Sequence, residues 1–219
     1  PITVGRDKSI RLIQEAHKGN RIIGVVSQLD QEEEAPEFVD LHKVGTVAQI
    51  IRMLKMPDGS STVIIQGKRR FEIVEPYQTE PYMRAKVRFL VEEMPPKKDA
   101  EMELVFRSIK DLALQIIRDS PNIPSEASFA IGNIESPTFM VNFISSNMNA
   151  DVNKKQGMLE ELNFRKRAKM VMEHLTLESQ LLEMRNEIQT KVRQDMDRQQ
   201  REYFLNQQIR TIQDELGDN

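Results

Sequence analysis

The sequence predicts an α+β chain: a β-rich, barrel-like first part, residues 1–95, then a helical part, residues 96–219, ending in one long helix. Three observations carry this. From Val44 to Val91 apolar residues recur with period two, the spacing of strands. From Met102 onward they step by three and four, the spacing of helices. All ten prolines lie at or before Pro137, so beyond it only Gly157 and Gly217 interrupt a helix.

Residues 7–18 place Ile10, Ile13 and Ala16 on one helical face, with Asp7 as cap and Gly19 where a left-handed terminator belongs. Ile22 to Val26 reads as a buried strand. Residues 29–40, with Glu32-Glu33-Glu34, Pro36 and Glu37, are too acidic for a core and are expected as a solvated loop. From Val44, strict alternation puts Val47, Ile51 and Met53 on one face and Thr46, Ile50, Leu54 and Met56 on the other. Both faces are then partly apolar, as in a barrel strand covered outside. Pro57-Asp58-Gly59-Ser60 is a turn signal. Thr62 to Gln66 continues as a β-branched strand, Gly67 marks a bulge or bend before Phe71 to Val74, and Pro76 to Pro81 forms the next connection. In residues 83–91, Met83, Ala85, Val87, Phe89 and Val91 point to a dry face and Arg84, Lys86 and Arg88 to a wet one.

Met102, Val105, Ile109, Leu112 and Ile116 form the stripe of the first long helix, which ends before Pro121 and Pro124. Ser136-Pro137 is a cap with proline at the first helical position, opening a helix through Phe139, Met140, Phe143 and Ile144. Asp151 caps another. A further helix is expected over residues 160–174, with Leu162, Ala168, Val171 and Leu175 inward. Residues 177–216 then form a helix of roughly 60 Å at about 1.5 Å per residue. Leu177, Leu181, Met184 and Ile188 are expected to dock on the chain's own helices. Residues 193–202 are a polar spacer, and Leu205, Ile209, Ile212 and Leu216 are left for a partner. An antiparallel helical hairpin is the other reading of this segment.

Composition excludes several kinds of chemistry. With no Cys there is no disulfide scaffold and no thiolate metal, haem or iron–sulfur site. Net charge is −3; residues 1–95 are neutral and residues 96–219 carry the excess, so neither part is a basic nucleic-acid footprint. No apolar run reaches membrane-spanning length, and the first residues lack a basic-then-apolar leader, so a soluble, non-secreted protein is expected. Gly67-Lys68 is not a phosphate loop: Thr62 stands where the first glycine belongs and Arg69 where the metal-binding hydroxyl belongs. His17, His42 and His174 form no His-x-x-x-His pair, and no Gly-x-Ser-x-Gly elbow occurs. The acid pairs Glu92-Glu93 and Glu160-Glu161 read as solvated charge. The 12 methionines suggest adaptable apolar surface more than chemistry.

Particular strings say more. Val44-Gly45-Thr46-Val47-Ala48, Met56-Pro57-Asp58-Gly59 and Gly67-Lys68-Arg69-Arg70-Phe71 resemble the β-rich start of the Lon family of ATP-dependent proteases. Asp195 to Gln208 and Ile212-Gln213-Asp214-Glu215-Leu216-Gly217 are similar to the segment that precedes the ATPase module in bacterial members. The resemblance covers essentially the whole chain. It implies a partly open antiparallel β-barrel of the PUA-like type, seen also in pseudouridine-synthase-associated RNA-binding domains, then a helical bundle and a long helix. An AAA+ ATPase and a Ser-Lys protease domain would follow. By this resemblance the chain starts just after a Pro- and Leu-rich first strand and stops before both engines. No catalytic, cofactor or metal residue is then expected in it. ATP and Mg would serve the full-length protein, a cytoplasmic homohexamer with no membrane association.

The function so implied is substrate recognition and assembly: binding unfolded or damaged proteins and presenting them to the ATPase ring. Exposed apolar surface of modest specificity suits that task, multiplied by several copies around one pore. Leu54, Met56 and Pro57 near the hairpin tip are the candidate contacts; packing beneath the acidic loop is the other use for them. Tyr203, Phe204 and Leu205 are candidates for coupling to the ring or to neighbouring subunits, with core packing as the alternative. A second function class is a nucleic-acid-binding barrel using Arg84, Lys86 and Arg88, with Tyr82 as the aromatic that could stack. A third is an independent enzyme, for which neither ATP hydrolysis nor casein cleavage is expected of this chain.

Overall fold

The computed structural model describes residues 1–57, 60–96, 98–124 and 126–217. In chain order the elements are β1 (Ile2–Val4), α1 (Asp7–Lys18), β2 (Ile22–Val25), a 3-10 turn (Phe38–Asp40), β3 (Val44–Lys55), β4 (Ser61–Gln78) and β5 (Arg84–Phe89). Among the described residues five further helices follow the sheet: α2 (Ala100–Asp119), α3 (Glu126–Gly132), α4 (Pro137–Asn147), α5 (Val152–Glu160) and α6 (Phe164–Leu216). The chain divides into two compact units. One comprises Pro1–Asp99 with Ser145–Arg167, the other Ala100–Ile144 with the residues from Ala168 on. The β-rich unit thus holds α5 and the start of α6 besides residues 1–95.

In that unit β4 is the organising strand. Its first residues pair with β1, residues 61–72 with β3, and residues 71–78 with β5, all antiparallel. The path β1-β4-β3-β2 stays open, as expected of a partly open barrel. One face packs Val4, Ile23, Ala48, Ile50 and Val63 against Ile13 of α1. On the other face Phe71 is 3% exposed. Its ring occupies the room that the missing side chains of Gly24 and Gly45 leave. Both faces of β3 are therefore partly apolar.

The strict alternation expected along β3 does not hold. Register shifts fall between Val47 and Ala48 and between Ile50 and Arg52, so Lys68 on β4 and Ile51 on β3 are extra residues. Past Ile51 the faces exchange: Met53, opposite Val63, joins the face of Ile50, and Leu54 leaves it. β4 also runs on through Pro76 to Gln78, into the segment expected as the next connection. β2 is only partly buried, with Ile22 exposed. The dry face expected of β5 is not dry: Val87 and Phe89 are exposed. α1 starts without the expected Asp7 cap, Arg6 being its N-cap, and Gly19 ends it at φ −98°. The left-handed residue is Arg21, at φ 60°.

In the helical unit α2 buries Met102, Val105, Ile109, Ala113, Ile116 and Ile117, and α4 buries Met140, Val141 and Ile144. The Ser136 hydroxyl accepts from the Phe139 N–H at 3.3 Å, and the Asp151 carboxylate from the Lys154 N–H at 2.7 Å, the two caps read from sequence. α3 has no counterpart in the sequence reading. The break expected between residues 174 and 177 is absent. α6 is continuous because it contains no Gly or Pro, and Thr176 bonds back to the Met172 carbonyl at 2.8 Å. Leu177, Leu181, Met184 and Ile188 are exposed and do not dock. The covered face carries Val171, Leu175 and Ser179, with Leu182 and Asn186 half-buried, and Asn186 Nδ2 reaches the Asp119 carbonyl at 3.4 Å. An amide and a serine hold this side of the helix, so a search for apolar steps alone selects the wrong face.

Candidate functional site

The far end of the β3–β4 hairpin is tied by Met56 N–H donating to the Ser60 carbonyl at 2.9 Å. Asp58 and Gly59 of the expected turn lie outside the described residues. Lys55 pairs with Ser61, Leu54 with Thr62 and Arg52 with Ile64. Paired residues share a face, so Leu54 and Ile64 stand together opposite the face that α1 covers. Leu54 is 48% exposed, Met56 45% and Ile64 37%, and Pro57 is exposed beside them. They are not packed beneath the acidic segment. Sequence reading missed Ile64, because the extra residue Ile51 decides which β3 positions face it.

The basic row of β5 is not free. Arg88 Nη2 lies 2.5 Å from Glu72, Lys86 Nζ 2.7 Å from Glu75, and Arg84 Nη2 3.2 Å from Glu15. Arg88 and Lys86 sit directly across the ladder from these β4 glutamates. Tyr82, the one aromatic that a nucleic-acid reading needs, is buried, with the Arg84 guanidinium 4.9 Å from its ring centroid. Phe89 is similarly covered by Arg69 at 4.5 Å.

A partly buried ionic cluster holds β4 to α5 and the start of α6. Arg70 Nη1 donates to the carbonyls of Leu159 and Glu161, both at 2.8 Å, and its Nη2 to Glu92 Oε1 at 3.0 Å. Arg167, 3% exposed, donates to the same Glu92 oxygen and to the Glu161 carbonyl. Burial, and next the neighbouring Arg167, lower the pKa of Arg70, while Glu92 and Glu161 raise it. Glu160 accepts from Gln156, whose amide also donates to the Val44 carbonyl at 3.0 Å. The two acid pairs are therefore structural, not merely solvated charge. Lys68 bonds to Gln66 within the strand, at 2.8 Å.

Tyr203, Phe204 and Leu205 are all exposed on α6, with Gln207 Nε2 donating to the Tyr203 hydroxyl at 3.2 Å. Successive helical residues are about 100° apart, so the three do not form one face. Among the described residues no group of three acidic or histidine side chains converges to hold a metal. No described helix is long and apolar enough to cross a membrane.

Comparison with known proteins adds a family. The model of the substrate-binding domain of ATP-dependent protease La (LON) matches residues 1–177. The chain belongs to the Lon substrate-binding domain family. It is 56% identical over 217 residues to the Lon protease of Flavobacterium johnsoniae, covering 99% of the chain and 27% of that protein. To the Lon protease of Cytophaga hutchinsonii it is 50% identical over 218 residues, covering 100% and 27%. The chain thus spans about a quarter of the length of these relatives. In structure it is similar to the N-terminal domain of the Mycobacterium avium complex Lon protease, with TM-score 0.60 at 14% identity over 80% of this chain and 89% of that one. The Lon N-terminal domain protein of Xanthomonas campestris gives 0.54 at 13%, over 78% and 86%. At such identities the agreement is one of fold.

Within this Lon domain the strings that carry the resemblance have structural work. Gly45 admits Phe71, Arg70 anchors the cluster, and Arg69 covers Phe89. The family match stops at residue 177, where the exposed stripe of α6 starts.

Proposed function

We propose that this chain is the substrate-recognition and assembly part of an ATP-dependent serine protease that removes misfolded, damaged and short-lived regulatory proteins. The outer face of the β3–β4 hairpin, with Leu54, Met56, Pro57 and Ile64, takes exposed apolar segments of unfolded chains. One observation carries this reading: these apolar residues stand exposed side by side on a sheet that could have buried them. Contacts of this kind are individually weak, and several copies in a homohexamer would multiply them. α6 then leads toward the ATPase ring, where ATP and Mg act in the full-length cytoplasmic protein, and Tyr203, Phe204 and Leu205 couple the parts.

The test is binding of fluorescein-labelled casein, measured by anisotropy, to the chain and to a Leu54→Ser, Met56→Ser, Ile64→Ser variant. Affinity is expected to fall about tenfold or more, some 1.4 kcal/mol, at unchanged melting temperature. Undiminished affinity in the folded variant sinks the assignment.

A further inference from the structure

β5 is bonded along one edge alone. Leu90 N–H donates to the Arg70 carbonyl at 3.1 Å, and the main-chain groups of successive strand residues point to opposite edges. Arg88, Lys86 and Arg84 therefore turn their N–H and C=O groups to β4, as Leu90 does, and Ala85, Val87 and Phe89 turn theirs away. The β4 side agrees: Ile73, opposite Val87, donates its N–H to the Lys43 carbonyl, on its far side from β5. Among the described residues no strand lies beyond β5, and all of its residues but the half-buried Ala85 are exposed.

An open strand edge is ordinarily guarded by charge. Here the guards are drawn off. Arg88 and Lys86 pair with Glu72 and Glu75 on the strand behind, and Arg84 with Glu15 of α1. These three stand on one face of β5, since strand side chains alternate. On the other face Val87 is 40% and Phe89 46% exposed. The edge presents unpaired main-chain groups beside a short apolar row, with the basic side chains already matched.

The chemistry of such an edge fixes its occupant. A folded domain keeps its main-chain groups paired, whereas an unfolded chain has them free. Main-chain pairing is indifferent to side-chain identity, which suits a domain of a substrate-binding family. We propose that the free edge of β5 takes an extended apolar segment of an unfolded protein as an added strand, held by hydrogen bonds to Ala85, Val87 and Phe89. This rests on the reading above that the chain recognises unfolded proteins, and it adds to the hairpin a second surface that reads the main chain. Segments rich in proline, which has no N–H to give, are refused.

The probe is a fluorescein-labelled peptide of alternating Thr and Val with a Lys at each end, read by anisotropy. A version N-methylated at its central residues is more apolar but has no donor on either edge. It should bind the unaltered chain at least about tenfold more weakly. Val87→Pro removes the central outward N–H and leaves the ladder to β4 whole; Lys86 before it is extended, as proline requires. It should weaken the parent peptide at least about tenfold, and Val87→Ala less than about threefold. Equal binding of the two peptides overturns the proposal, as does undiminished binding by a Val87→Pro chain of unchanged melting temperature. Should Val87→Pro fail to fold, the peptide pair decides by itself. The Leu54→Ser, Met56→Ser, Ile64→Ser chain should bind the peptide as the unaltered chain does; a loss there moves the peptide to the hairpin and overturns the edge. Casein bound without the peptide overturns the edge and leaves substrate recognition standing, whereas binding of neither overturns both.

Discussion

Arg70 donates a hydrogen bond at 2.8 Å to the main-chain carbonyl of Glu161, 91 residues further along the chain. Its other nitrogen meets Glu92, on which Arg167 also converges. Removing the shared carboxylate leaves two guanidiniums without their common counter-charge. Glu92→Ala is expected to lower stability by about 3 kcal/mol, the low end of the cost of breaking a buried ion pair, because the Arg70 and Glu92 side chains keep 16% and 23% of their surface exposed. Urea unfolding followed by circular dichroism measures it, and a loss below about 1 kcal/mol would mean that the two carbonyls suffice.

Gly45 is defined by what surrounds it. A Cβ there would stand 2.3 Å from the Val25 carbonyl oxygen, 2.3 Å from Val26 Cγ1 and 3.0 Å from the Phe71 ring. A main-chain oxygen cannot turn aside as a side chain can. Gly45→Ala should cost about 3 kcal/mol, the upper part of the overpacking range. Gly5→Ala, where a Cβ meets nothing within 4 Å, is the neutral control. Equal melting temperatures for the two variants would refute the steric account.

Burial raises the pKa of Glu178 above the ordinary carboxylate value, and His174, 3.8 Å away, only partly opposes this. The folded state therefore binds the Glu178 proton more readily than the unfolded state. Stability from this group is complete below the ordinary carboxylate pKa and is lost as pH rises through the elevated one. Glu178→Gln should raise the melting temperature slightly at pH 7, by less than about 1 kcal/mol in stability, with the gain vanishing toward pH 4. A gain that grew on acidification would reverse the assigned sign.

Coupling through α6 predicts a separation of effects in the full-length protein. Tyr203→Ala with Phe204→Ala should reduce ATP-dependent degradation of casein several-fold while leaving casein binding within about twofold. Equal loss of both, or loss of neither, would count against coupling.

Local signals made much of the fold legible. The stripe of α2, the caps at Ser136 and Asp151, and the β-branched start of β4 follow from neighbouring residues, and the structure has them. What failed depended on partners distant in sequence. No pattern in residues 44–56 discloses that Ile51 is surplus, because that is a property of its pairing with β4. Glu92 looks like any exposed glutamate until Arg70 and Arg167 arrive beside it. Leu54 and Met56 could be named from the hairpin signal, whereas Ile64 required the register. On α6 two faces compete: the one with the unbroken apolar stripe is exposed, and the one interrupted by Ser179 and Asn186 is covered.

The two extra residues of the hairpin cancel. Val44 to Val47 pair with Glu72 to Arg69, and Arg52 to Lys55 with Ile64 to Ser61, in one common register; only the stretch from Ala48 to Ile50 is displaced. Each extra residue can therefore be lost by itself. Without Ile51 the partners of Ile50 and Arg52 are consecutive on both strands, so Met53 stays on the face of α1 and Leu54 stays beside Ile64; without Lys68 the same holds for Ala48 with Gly67 and Val47 with Arg69. The two bulges are thus separate points at which the hairpin can shorten by one residue without turning either face, and single deletions at Ile51 or Lys68 should be tolerated.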